Sequence, residues 1–89
     1  MPDAKDNKLF AIGPAASQAG VSRQTVQYYL MIGLIKPTQT TSTGRRLFDD
    51  DAVKKIRMIK KLNQSGYPLR AIRDLFFQQL KTEKTLNHD

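Results

Sequence analysis

The stretch from Val21 to Phe48, VSRQTVQYYLMIGLIKPTQTTSTGRRLF, sets a short amphipathic segment, a glycine break and a hydroxyl-rich run closed by two arginines in that order. Few folds accommodate it. Ser22 is a residue type that accepts hydrogen bonds from the free N–H groups of a first helical turn, and Gly20 just before it is suited to end a preceding helix. A helix-turn-helix is therefore predicted around residues 20–22. At about 100° per residue, Val26, Tyr29 and Leu30 share one side of the second helix, while Arg23, Gln24, Gln27 and Tyr28 share the broadly opposite side. The first set is placed to pack and the second to meet something outside. Arginine and glutamine can each make paired hydrogen bonds to guanine and adenine edges in a DNA major groove, and a tyrosine hydroxyl reaches a phosphate. A polar outer face is also what an ordinary surface helix carries, so this helix alone leaves both readings open.

The residues that follow favour the first. Gly33 lets the chain leave the helix, and Leu34 and Ile35 anchor the base of a two-stranded wing. Its tip is expected at Thr38 to Thr43, with Leu47 and Phe48 packing at the base. An isolated Thr/Ser/Gly run is an ordinary exposed loop, but Arg45 and Arg46 come directly after this one. Hydroxyls and backbone N–H groups bond phosphates, and an arginine enters a narrow minor groove or clamps the backbone. The candidate DNA-binding set is Ser22, Arg23, Gln24, Gln27, Tyr28, Thr43, Arg45 and Arg46.

Charge distribution points the same way. Residues 36–61 carry eight of the fifteen basic residues and three of the eight acids, a net +5 of the chain's +7. A basic patch is the electrostatic footprint of nucleic-acid binding, although anionic membranes attract the same charge. With no cysteine, neither a disulfide framework nor a thiolate metal site can be built. No apolar run approaches the ~20 residues of a membrane span, and the Met1 end lacks a signal peptide's apolar core. No catalytic pocket is discernible and His88 lies in a polar tail, so neither enzymatic activity nor a cofactor is expected. The expected location is the cytoplasm, on the nucleoid.

The rest reads as scaffold: a mobile arm over residues 1–8, a domain over 9–80 and a polar tail over 81–89. Leu9 to Ile12 form an extended lead-in, Gly13 caps the first helix and Pro14 begins it. That helix ends near Gln18, with Ile12, Ala15, Ala16 and Val21 closing the first core. Asp49 caps a third helix whose dipole Asp50 and Asp51 complement; a metal site is the less simple reading of three acids. Val53, Ile56, Ile59 and Leu62 trace its buried stripe, and Lys54, Lys55, Arg57, Lys60 and Lys61 surround it as a solvated face, some within reach of phosphate. Gly66 ends this helix, Tyr67 tucks inward, and Pro68 starts a fourth running through Leu80, with Leu69, Ile72, Leu75 and Phe76 inward. Phe77 and Leu80 cover the core edge or form a self-association patch.

Gly13, Pro14, Ala15 and Ala16, then GVS (Gly20 to Ser22), TVQYYLxxGLI (Thr25 to Ile35), Pro37, GRRLF (Gly44 to Phe48) and GYPLxxI (Gly66 to Ile72) together resemble the MerR family of bacterial winged-helix regulators. The resemblance covers roughly residues 10 to 80. It implies a mainly α fold: a winged helix-turn-helix of about four helices with a small two-stranded β wing. It also implies a sequence-specific double-stranded DNA-binding transcription regulator at a promoter operator, with RNA polymerase alongside and self-association on DNA; a membrane partner is not expected. Arg46 becomes the stronger of the two wing arginines. Gln27, Leu30, Arg45, Phe48 and Asn63 depart from the family's common residues. The residues given stop nine after Leu80, without the family's long dimerisation helix and effector domain, so a monomer in free solution is expected. An architectural or recombination-directing protein of the excisionase kind is the alternative, since fold does not fix function.

Overall fold

A computed structural model describes residues 8–76 of the 89. The elements are α1 (Ile12–Ala19), α2 (Arg23–Met31), β1 (Gln39–Thr40), β2 (Arg46–Leu47) and α3 (Asp50–Gln64), with a fourth helix, α4, over residues 69–76. The mainly helical winged architecture is as expected. What was expected of Phe77, Leu80, the C-terminal tail and residues 1–7 lies outside the described residues.

Capping fixes the helix ends. The Ser22 hydroxyl accepts from the Thr25 N–H at 3.1 Å, and the Asp49 carboxylate accepts from the Ala52 N–H at 2.9 Å. At the other end of α1, Gly20 turns to φ 77°; its N–H donates to the Ser17 carbonyl and the Val21 N–H to that of Ala16. Gly33, at φ 83°, ends α2 with the same pair of bonds, to Leu30 and from Leu34 to Tyr29. A side chain with Cβ is strained at such angles, which is why glycine stands there.

One core joins all the elements. Ala15, Ala16 and Ala19 of α1 are buried against Val53, Ile56 and Ile59 of α3, with Val26 and Tyr29 of α2, Leu34, Ile35 and Phe48 of the wing base, and Ile72 of α4. The alanines let α1 and α3 approach closely. Phe48 is wholly enclosed, and its backbone forms a reciprocal bridge with Phe10, each N–H donating to the other's carbonyl at 2.8 Å. The lead-in segment is thereby stitched to the wing base, a pairing that the sequence did not announce.

Several expectations need correction. The first helix starts at Ile12 with Ala11 as its cap, so Gly13 is not the cap and Pro14 is the third helical residue; proline fits anywhere in a first turn because its missing N–H would have no partner. Leu75 is 50% exposed and Tyr67 55%; the turn that carries Tyr67 is closed by backbone bonds and by the Asn63 amide donating to the Tyr67 carbonyl at 2.8 Å, which requires no inward ring. Finally, Thr38 belongs to the wing base: its N–H donates to the Leu47 carbonyl, and its hydroxyl accepts from the Asp49 N–H.

Burial pushes the Tyr29 phenol pKa up. The unfolded chain gives up that proton near pH ~10 while the folded one retains it, so stability holds below that pH and falls as pH rises beyond it. Tyr29→Phe is expected to flatten the alkaline limb of a denaturant-midpoint curve against pH. An unchanged limb would assign that loss to other groups.

Candidate nucleic-acid interface

α2 presents Arg23, Gln24, Gln27 and Tyr28 to solvent because its other side, Val26 and Tyr29, is locked in the core. The wing is an antiparallel pair with Gln39 opposite Leu47 and Thr40 opposite Arg46. Adjacent strand residues point to opposite faces, so the half-buried Leu47 turns Arg46 outward. The wing turn is closed by the Thr41 carbonyl accepting from Gly44, by its N–H donating to the Arg45 carbonyl, and by its hydroxyl accepting from the Arg45 N–H at 3.0 Å. These bonds fix the backbone from which the two arginines extend.

The two elements meet along one open groove, lined by Arg23 and Gln27 from α2, Gly44, Arg45 and Arg46 from the wing, and residues 11–14 of the α1 start. Three guanidinium groups and an amide thus face one channel. Gln24 and Tyr28 lie on the exposed face of α2 but outside that lining. The Ser22 hydroxyl is engaged as helix cap and with the Thr25 hydroxyl at 2.9 Å, and that of Thr43 pairs with Thr41 at 3.0 Å. Both therefore shape backbone that carries the arginines.

Residues 11–14 were not singled out in the sequence as interface. α1 has no side-chain cap, and the Ile12 and Gly13 N–H groups precede its first hydrogen bond, so the positive end of the helix opens on the groove. Gly13 has a second role: a Cβ there would stand 2.8 Å from the Arg23 Nη2. Glycine leaves room for the guanidinium to lie across the first turn of α1. Gly13→Ala is expected to preserve or raise thermal stability, because alanine suits a helix better, while displacing Arg23 and weakening DNA binding. A variant with unchanged affinity would separate the Arg23 position from binding.

The positive charge of α3 is deployed differently from that of the wing. The Arg57 Nη2 donates to the Gln18 carbonyl at 2.9 Å, and the Lys60 Nζ to the Gly20 carbonyl at 2.7 Å. Both satisfy the carbonyl end of α1 and complement its dipole. Lys55 lies over the Phe76 ring, 4.9 Å from its centroid. A solvated face is thus an incomplete description of α3, and the cations that reach the groove are those of α2 and the wing. Among the described residues, no group of three or more acids or histidines is arranged to hold a metal ion, and no helix is long and apolar enough to cross a membrane.

The family model described as "MerR HTH family regulatory protein" matches residues 10–79. The chain belongs to the MerR family. Its relatives include the mercuric resistance operon regulatory protein of Bacillus cereus, 33% identical over 63 residues, or 71% of this chain and 48% of that protein. MerD of Acinetobacter calcoaceticus is 35% identical over 63 residues, 71% of this chain and 52% of its own length. This MerR chain spans about half the length of these curated relatives. A MerR-family transcriptional regulator from Bacillus cereus of known crystal structure superposes with a TM-score of 0.72 at 28% identity, over 91% of this chain and 61% of that one. HiNmlR, a MerR-family regulator lacking the sensor domain and bound to promoter DNA, superposes with a TM-score of 0.78 over 91% of this chain and 61% of that one. At 21% identity that likeness speaks for the fold.

Proposed function

We propose that this MerR-family chain is a sequence-specific double-stranded DNA-binding transcription regulator. In this reading α2 enters a major groove, where Gln24, Gln27 and Arg23 meet base edges and Tyr28 meets backbone, and the wing sets Arg45 and Arg46 on phosphates or in the adjoining minor groove. The groove that joins Arg23 and Gln27 to Arg45 and Arg46 carries the proposal: one short helix and one hairpin present their polar ends to the same channel. A promoter operator is the site proposed, with RNA polymerase as its neighbour and a second copy of the chain bound beside the first. Half-sites for two copies should then lie a whole number of duplex turns apart.

Selection from a random DNA library tests the reading. The parent protein is expected to return one compact motif. Gln24→Ala and Gln27→Ala should each relax that motif, a lost good base contact being worth ~1–3 kcal/mol, with thermal stability unchanged because both side chains are exposed. An identical motif from both variants would remove α2 from base reading. In a genomic footprint, promoter-proximal sites support regulation, and phased arrays at an attachment site would assign the chain to recombination.

A further inference from the structure

A second cavity lies away from the groove and shares none of its residues. It measures about 270 Å³ and is bounded by residues 33–36 at the wing root, Ala52 and Lys55 of α3, and Arg73 and Phe76 of α4. Leu34 and Ile35 in its wall are buried core residues, and Ala52 and Phe76 pack against the same core. Lys36 and Lys55 stand at the mouth, and Arg73, engaged in an interaction of its own within the fold, completes the lining. None of the described lining residues is acidic.

We infer that this cavity binds a compact aromatic carboxylate. An aromatic body fits the apolar wall and meets the Phe76 ring at its edge or face. The carboxylate then lies between the Lys36 and Lys55 ammonium groups, where charge-assisted hydrogen bonds are strong. Lys55 already rests on the Phe76 ring, a contact that holds an exposed cation only weakly and sets the ammonium beside the place an aromatic guest occupies. The volume lies just below the ~300 Å³ lower end of small-ligand pockets, so two fused rings are about the largest guest. The cavity joins residues 33–36, which lead into the wing, to α3 and α4.

Titration of the full chain with 2-naphthoate, followed by its fluorescence, with 2-naphthamide as the uncharged counterpart, tests the inference without any readout through DNA. The carboxylate is expected to bind at least about tenfold more tightly than the amide, and Lys55→Gln should reduce that preference. Ala52→Leu fills the cavity with a helix-compatible side chain and should abolish binding of both compounds while the protein still melts cooperatively. If Ala52→Leu does not fold, the Lys36→Gln/Lys55→Gln double variant replaces it and should lose the carboxylate. Equal affinity for the two compounds, no binding at millimolar concentration, or binding that survives these changes overturns the inference. Loss of binding in Arg46→Ala alone would place the anion in the other groove and overturn it as well.

Discussion

Phe48→Ala is expected to remove most of the domain's stability. The ring is fully enclosed at the junction of wing, lead-in segment and α3, and truncating such a phenylalanine costs ~3–5 kcal/mol through lost burial and the cavity left behind. Small domains sit near the bottom of the ~5–15 kcal/mol range of folding free energies, so little remains. In a thermal melt followed by circular dichroism, the midpoint should fall by at least about 12 °C, at ~4–8 °C per kcal/mol for a domain of this size. Phe48→Leu keeps most of the volume and should cost much less. A Phe48→Ala midpoint within a few degrees of the parent would show that the Phe10 bridge alone holds the wing base.

The Arg45→Ala/Arg46→Ala double variant is expected to bind DNA at least about tenfold more weakly than the parent at moderate salt, by loss of charge-assisted contacts. It should also show a shallower dependence of affinity on salt. Each phosphate contact releases counterions worth ~0.9 in the logarithmic slope, so the double variant should lose about two units and Arg46→Ala alone about one. Arg57→Ala is the informative contrast. Its guanidinium is bonded to the Gln18 carbonyl, so its removal should lower the melting temperature and leave the slope in place. Fluorescence titrations across a salt series decide the matter: equal slopes for parent and Arg46→Ala would take the wing off the phosphates, and a shallower slope for Arg57→Ala would return α3 to the interface.

The helix order, the caps at Ser22 and Asp49 and the αL glycines at 20 and 33 were legible because they depend on local chemistry: a hydroxyl or carboxylate at a first turn, or a missing Cβ at a last one. The two faces of α2 were legible for a related reason, since a helical period separates Val26 and Tyr29 from Arg23 and Gln27 whatever they pack against. What escaped were pairings between distant segments. Nothing in the local pattern says that Phe10 pairs with Phe48, that Gly13 leaves room for Arg23, or that Arg57 and Lys60 reach α1. Tyr67 and Leu75 failed in the opposite direction: each has an apolar body in a plausible period, and only the packing of α4 decides how much of it is covered. Of the eight candidate residues, the fold brings Arg23, Gln27, Arg45 and Arg46 into one groove, and that grouping, with the uncapped start of α1, could not be read from local pattern.

The bonds from Arg57 and Lys60 to the carbonyls of Gln18 and Gly20 span 39 and 40 residues. They tie the final form of the α1–α2 pair to a segment made much later. During synthesis, residues 12–31 leave the ribosome before α3, yet two helices this short are marginal in water without tertiary support. The turn between them acquires its cationic clasp only after Lys60 has emerged, together with the hydrophobic face of α3. Closing so long a loop costs entropy before any contact repays it. α2 therefore settles against α1 late although it is encoded early, and a nascent chain paused before residue 60 is expected to lack the final angle between the two helices.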